Sequence, residues 1–197
     1  MKVIKKDNSA VDICVKMLLE EKVIILPTDT VYGFSGIIVK TEDKIRTIKG
    51  RGEDKPFIVL IGNPSDIYSI TGISIPESLF SLWPGPLTII VPEKNTQKTV
   101  AVRCPGDQWL RSIINKCGVP IYSTSVNRSG LPVLGNIDDI IDEFEDDVDL
   151  IVDDGNSTSL TASTIISLDQ KGFSIIRQGS LIIPEEVLKQ LSPCRCE

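Results

Sequence analysis

"ILPTDTVYG", Ile25 to Gly33, finishes an apolar run and then breaks it with a proline, two threonines, an aspartate and a glycine. Val23-Ile24-Ile25-Leu26 has no polar face, so it reads as a strand buried on both sides. Pro27 has no N–H to continue a ladder, and Thr28, Asp29 and Thr30 carry short side chains that bond to nearby backbone. Two readings fit this turn. The polar groups either satisfy the turn's own backbone or line a ligand crevice at the end of the strand, as polar groups gathered at strand ends do.

Upstream, Val11, Cys14, Val15, Leu18 and Leu19 recur at helical spacing and predict a helix over 10–21. Downstream, "GIIV" (36–39) and "FIVLI" (57–61) read as strands. Thr41 is placed to cap a short helix that ends with Lys49 and stops at Gly50. Helices are predicted from Asn63–Asp66 and over 76–83, and strands over 87–91 ("LTIIV") and 99–103 ("TVAVR"). Trp109, Leu110, Ile113, Ile114 and Cys117 mark another helix, closed by Gly118 and followed by the strand "VPIYSTS". Asn136 is placed to cap an acidic helix over 137–144. Strands at 148–153, 163–168 and 173–177 and a last helix from Pro184 complete the pattern. Strands outnumber helices but alternate with them, which predicts an α/β or α+β sheet with helices packed on it, as one domain over 1–197.

Other strand ends share the habit of the opening stretch. "VAV" runs into Arg103, "PIY" into Ser123-Thr124-Ser125-Val126-Asn127, and "SII" into Arg177. "KGRGEDKP" (49–56) sets Lys49, Arg51 and Lys55 around two glycines. This suits a phosphate cradle or, with Glu53 and Asp54 nearly cancelling its charge, a solvated loop. It is not a P-loop, since no GxxxxGK[ST] occurs. "STSVNRSG" (123–130) offers hydroxyls and a carboxamide that suit a polar ligand or an ST-turn equally. Asp153-Asp154 is a weak magnesium pattern, because adjacent acids in turns are common.

Composition excludes several chemistries. The chain of 197 residues has no histidine, which removes Ser-His-Asp triads, Cys-His dyads and imidazole metal ligands. A net charge of −6 argues against coating nucleic acid through a broad basic surface. The five cysteines (14, 104, 117, 194, 196) include no CxxC pair and suggest reduced thiols, with Cys194 and Cys196 in a frayed tail. No apolar run approaches bilayer length, and acidic residues interrupt the N-terminal segment. No membrane association and a cytoplasmic location are therefore expected.

PTDTVYG, Lys49-x-Arg51, Lys55, WPGPLT, TVAVR, Ser125-x-Asn127, and STIISL followed by IIRQG occur in that order over roughly residues 10–183. The ordered set resembles the YrdC/Sua5 family of threonylcarbamoyl-AMP synthases, in its short single-domain form. The resemblance implies a twisted mixed β-sheet around a central, positively charged cavity, with helices outside. It also implies an ATP-dependent nucleotidyltransferase that joins L-threonine, bicarbonate or CO2 and ATP, with Mg2+, into threonylcarbamoyl-AMP and pyrophosphate. The product would feed N6-threonylcarbamoyladenosine formation at position 37 of tRNA through a separate transferase complex.

Carried over residue by residue, the resemblance assigns threonine to Thr28, Arg103, Ser123 and Ser163, with Arg103 on its carboxylate. It assigns the nucleotide to Lys49, Arg51, Lys55, Thr99, Ser125, Asn127 and Arg177, with Lys49 and Arg51 as catalytic cations and Lys55 near the phosphates. The metal ligands are left unassigned. Three residues depart from the usual pattern: Arg128 replaces an aliphatic residue, Ala162 a glutamate and Gln178 a proline. A non-catalytic RNA-binding module of the same fold, with at most weak tRNA contact, is the alternative. Carbamoyl transfer in hydrogenase maturation is a third reading, but the acylphosphatase-like part and zinc-finger cysteines of that larger protein are absent here.

Overall fold

A computed structural model describes residues 2–52, 56–157, 161–169 and 172–191. Its strands are β1 (Lys2–Lys5), β2 (Ile24–Leu26), β3 (Gly33–Ile37), β4 (Ile58–Leu60), β5 (Leu87–Pro92), β6 (Thr99–Arg103), β7 (Ile121–Ser125), β8 (Leu150–Asp153), β9 (Thr164–Asp169) and β10 (Gly172–Arg177). The helices are α1 (Asn8–Leu19), α2 (Glu42–Lys49), α3 (Ile67–Ile70), α4 (Glu77–Phe80), α5 (Gln108–Cys117), α6 (Ile137–Phe144) and α7 (Glu185–Leu191). All the strands join one mixed sheet in the order β1-β8-β2-β3-β7-β4-β6-β5-β9-β10. Parallel pairs (β1/β8, β2/β8, β4/β6, β5/β9) are interleaved with antiparallel ones.

The apolar run before the quoted turn explains the sheet's centre. Ile24 and Leu26 pack into a cluster with Cys14 and Leu18 of α1 and Leu110, Ile113 and Ile114 of α5. Ile25, pointing the other way, packs with Phe34, Ile45, Ile140 and Phe144 against α2 and α6. A strand with apolar neighbours on both faces needs no alternation. A third cluster, around Trp83, Leu79, Ile89, Val102 and Ile166, seats α3, α4 and α7 on β5, β6 and β9.

The helix ends follow capping chemistry. Asp7 accepts from the Ala10 N–H and Asp107 from the Leu110 N–H, and Asn136 accepts from Asp138 and Asp139. Gly50 and Gly118 terminate α2 and α5 in the left-handed region, at φ 59° and 70°.

Four local expectations differ from the structure. Thr41 occupies the N-cap of α2 without capping it, because its hydroxyl donates to the Ile37 carbonyl at 2.9 Å. The strand expected at 36–39 lies at Gly33–Ile37, since its two glycines hide it from an apolar count and Val39 turns away with φ 69°. The helix expected over 76–83 is the single turn Glu77–Phe80. β1 went unpredicted because Lys2–Lys5 has only two apolar residues. It is held by parallel pairing to β8 and by Lys5 and Lys6, which form ion pairs with Asp153 and Asp154. That pairing engages the two carboxylates that the magnesium pattern had pointed to. Among the described residues no helix is long and apolar enough to cross a membrane, and Cys14, Cys104 and Cys117 are buried free thiols. Burial pushes the Cys14 thiol up to about 12. Cys194 and Cys196 lie outside the described residues.

Candidate active site

The turn Pro27–Val31, the strand ends of β6 and β7, and segments of β9 and β10 surround an open cavity of ≈ 260 Å³. Of the residues predicted from the sequence, Thr28, Arg51, Arg103, Ser123, Ser125, Ser163 and Arg177 line it together. Among the described residues its lining holds three arginines and no carboxylate. In a chain of net charge −6, this concentrates positive potential in one hollow.

Arg103, at the end of β6, is 4% exposed. Its Nε donates to the Gly85 carbonyl at 3.1 Å, Nη1 to Thr30 Oγ1 at 2.9 Å and Nη2 to Asp29 Oδ1 at 2.6 Å. The WPGP segment therefore supplies a backbone oxygen to the site. Burial lowers the guanidinium's pKa, and the nearby Asp29 carboxylate opposes that shift. Sequence reasoning chose Thr28 from the turn and passed over Asp29 and Thr30, which make the contacts to Arg103. The signal was an acid between two threonines, facing a strand-end arginine.

Thr28 serves the turn. Its hydroxyl donates to the Val31 carbonyl at 2.7 Å and accepts from the Thr30 and Val31 N–H groups. It lines the cavity, but its hydrogen bonds are taken by its own backbone.

Ser123 sits on β7 facing β3, where a Cβ on Gly33 would lie 2.6 Å from its hydroxyl. Only a glycine leaves that hydroxyl its place. Ser163, 2% exposed, pairs with Thr88 at 2.8 Å, and its carbonyl accepts from Nε and Nη2 of Arg177 at 3.2 and 2.8 Å. Arg51 donates to Thr124 Oγ1 at 3.1 Å and stacks over Phe57 with its centre 5.1 Å from the ring. Burial lowers the pKa of both Arg51 and Arg177, so their charged forms gain from an incoming anion.

Lys49 and Asn127 lie behind the cavity wall. Lys49 is 2% exposed, and its ammonium donates to the Ser125 carbonyl, to the Asn127 carbonyl at 2.9 Å and to Asn127 Oδ1 at 3.0 Å. Asn127 Oδ1 also accepts from Ser125 Oγ at 2.7 Å, while its Nδ2 donates to the Arg128 and Leu131 carbonyls. Lysine and asparagine thus brace the loop that presents Ser125. Burial, and secondarily the charge of Arg51, push the Lys49 ammonium down to about 7.

Thr99 does not join the cavity. It starts β6 at the end away from Arg103, with the same strand parity as the cavity-lining Ala101 and Arg103, and borders a groove whose Val59, Val100 and Tyr122 alternate with the cavity-lining Ile58, Ala101 and Ser123 and so face the other side of the sheet. Lys55 lies outside the described residues. The three departures are accommodated locally. Arg128 pairs with Glu143 and Asp147, both at 2.7 Å. Gln178 donates to the Leu181 carbonyl at 2.7 Å, and the Ala162 carbonyl accepts from the Ser180 N–H.

Fold and cavity together define an α/β domain with a hollow lined by three arginines at the strand ends of its sheet. The family model described as "Telomere recombination" (Sua5_yciO_yrdC) matches residues 16–179, and the chain belongs to that family. It is 32% identical over 193 residues to a threonylcarbamoyl-AMP synthase of Bacillus subtilis, with 90% of this chain and 55% of that protein covered. It is 29% identical to a putative threonylcarbamoyl-AMP synthase of Methanocaldococcus jannaschii, covering 91% of this chain and 87% of that one. The structure of P. abyssi Sua5 complexed with L-threonine superposes with a TM-score of 0.83 at 26% identity, over 97% of this chain and 60% of that one. The chain thus spans about half the length of the Bacillus protein and three-fifths of the P. abyssi one.

Proposed function

We propose that this chain is a nucleotidyltransferase that makes threonylcarbamoyl-AMP and pyrophosphate from L-threonine, bicarbonate or CO2, and ATP. The observation that carries the reading is the cavity lined by Arg51, Arg103 and Arg177 with no carboxylate among the described residues of its wall. Such a wall suits a triphosphate beside an amino-acid carboxylate and repels neither. The names of the relatives agree with it.

The reaction asks little covalent work of the protein. The threonine amine adds to CO2 and loses a proton, giving a carbamate. A carbamate oxygen then bonds to the α-phosphorus of ATP as the bond to the pyrophosphate oxygen breaks. Alignment and cations that offset developing charge suffice, so a chain without histidine can serve.

In this reading Arg103 holds the threonine carboxylate through the N–H groups not engaged by Gly85, Thr30 and Asp29. Arg51 and Arg177 neutralise the phosphates, and Ser123 and Ser125 supply hydroxyls to the substrates. A wall without carboxylates among the described residues fits Mg2+ entering as MgATP, held by phosphate oxygens and water rather than by a protein cage. A cytoplasmic location and delivery of the product to a tRNA-modifying transferase belong to the same proposal.

The test is omission. Purified protein should release pyrophosphate only when ATP, L-threonine, bicarbonate and Mg2+ are all present, with a product of threonylcarbamoyl-AMP mass. Release that ignores threonine or bicarbonate refutes the proposal.

A further inference from the structure

We propose that Asp29 is a positioning residue, acting from outside the cavity through Arg103. What the guanidinium holds rests on the function proposed above; how it is held does not. Asp29 is absent from the cavity wall, whereas Thr28 and Thr30, on either side of it, are present, so its carboxylate works from the back of the turn.

Three contacts fix Arg103, each on a different nitrogen: Gly85 O on Nε, Thr30 Oγ1 on Nη1 and Asp29 Oδ1 on Nη2. A guanidinium has five N–H bonds, so one hydrogen on each terminal nitrogen is left, the pair needed to grip a carboxylate at two points. Asp29 is itself anchored, since Oδ2 accepts from the Gly106 N–H at 2.8 Å. A Cβ on Gly106 would lie 2.8 Å from that same oxygen, so a glycine is required for this approach. Thr30 is set by its hydroxyl contact with Thr28 at 3.0 Å. The turn after β2 and the loop after β6 therefore meet at one ion pair, which orients the fork without touching a ligand.

Asp29→Asn keeps the shape and an acceptor for Gly106 but loses the charge that locks Nη2. In the full chain labelled with 15N-arginine, wild-type Arg103 should show separate, slowly exchanging Nη resonances, and Asp29→Asn should merge them while the thermal midpoint stays within a few degrees. In turnover, Asp29→Asn should raise KM for threonine at least tenfold without weakening MgATP binding, because a negative charge near the phosphates has been removed. Asp29→Glu, which restores the charge at a longer reach, should recover part of the loss. Separate Nη resonances in Asp29→Asn overturn the proposal, as does an unchanged threonine KM. If the wild type releases no pyrophosphate, the functional reading falls alone, and the resonances still decide whether Asp29 positions Arg103.

Discussion

Arg103 and Lys49 are buried to nearly the same degree, 4% and 2% exposed, yet their charges are met in opposite ways. Arg103 faces a carboxylate, and its planar fork is locked before any ligand arrives. Lys49 meets neutral groups, two carbonyls, a carboxamide and the Phe34 ring, and burial and the Arg51 charge lower its pKa. An internal carboxylate fixes a cation's direction at the expense of its field, which suits recognition of one carboxylate. A cation held by neutral groups, as Arg177 is by the Ser163 carbonyl, leaves its field uncancelled, which suits a polyphosphate.

The contrast should break first at Arg103. Replacing it with alanine removes the fork and strands Asp29, a loss of about 2–5 kcal/mol in transition-state stabilisation. Threonine-dependent pyrophosphate release should drop roughly thirty- to several-thousand-fold, and Arg103→Lys should not restore it, because an ammonium is a point charge rather than a fork. Steady-state assays at saturating ATP decide this.

Arg177→Ala should act on the other ligand. Loss of a charge-assisted contact of about 1.5–3 kcal/mol should raise the MgATP Kd roughly tenfold or more, with threonine affinity unchanged in calorimetry. An equal loss of threonine binding would erase the distinction between the two ends.

Lys49→Met should appear mainly in stability. It leaves the Ser125 and Asn127 oxygens without their donor, at a cost of about 1–3 kcal/mol. Lys49 also carries a pH signature. Its folded pKa near 7 lies below the ordinary lysine value of 10.5, so between these values the unfolded chain binds more protons. The Lys49 contribution to stability therefore becomes more favourable as pH rises through that window. Urea melts at pH 7 and 9.5 should show the gap between wild type and Lys49→Met widening with pH, and a gap that narrows contradicts the assignment. Arg128→Leu removes two part-exposed ion pairs worth about 0.2–1 kcal/mol each together with the contacts to the Ile48 and Glu143 carbonyls, so it should lower the thermal midpoint modestly and, lying outside the cavity, leave MgATP affinity unchanged.

The sequence made the strands before and after each polar cluster legible, because buried runs such as Val23–Leu26 and caps such as Asp107 carry local signals. It also brought Arg51, Arg103, Ser123, Ser125 and Arg177 to one cavity, since strand ends in one sheet converge. The division of labour stayed hidden. Whether Thr28 bonds a ligand or its own turn, and whether Lys49 reaches outward or braces Asn127, depends on contacts between residues far apart in sequence. Asp29 was passed over for the same reason, because its partner lies 74 positions away. β1 was missed because its stability comes from β8 and two ion pairs rather than from its own four residues.

The most direct measurement is a crystal structure of the chain with Mg2+, a non-hydrolysable ATP analogue and L-threonine. The account predicts the threonine carboxylate on Arg103 and the triphosphate between Arg51 and Arg177, with Lys49 still bound to Asn127. Ligands seated in the groove beside Val100 and Tyr122 on the opposite face of the sheet, with the arginine-lined cavity empty, would contradict it.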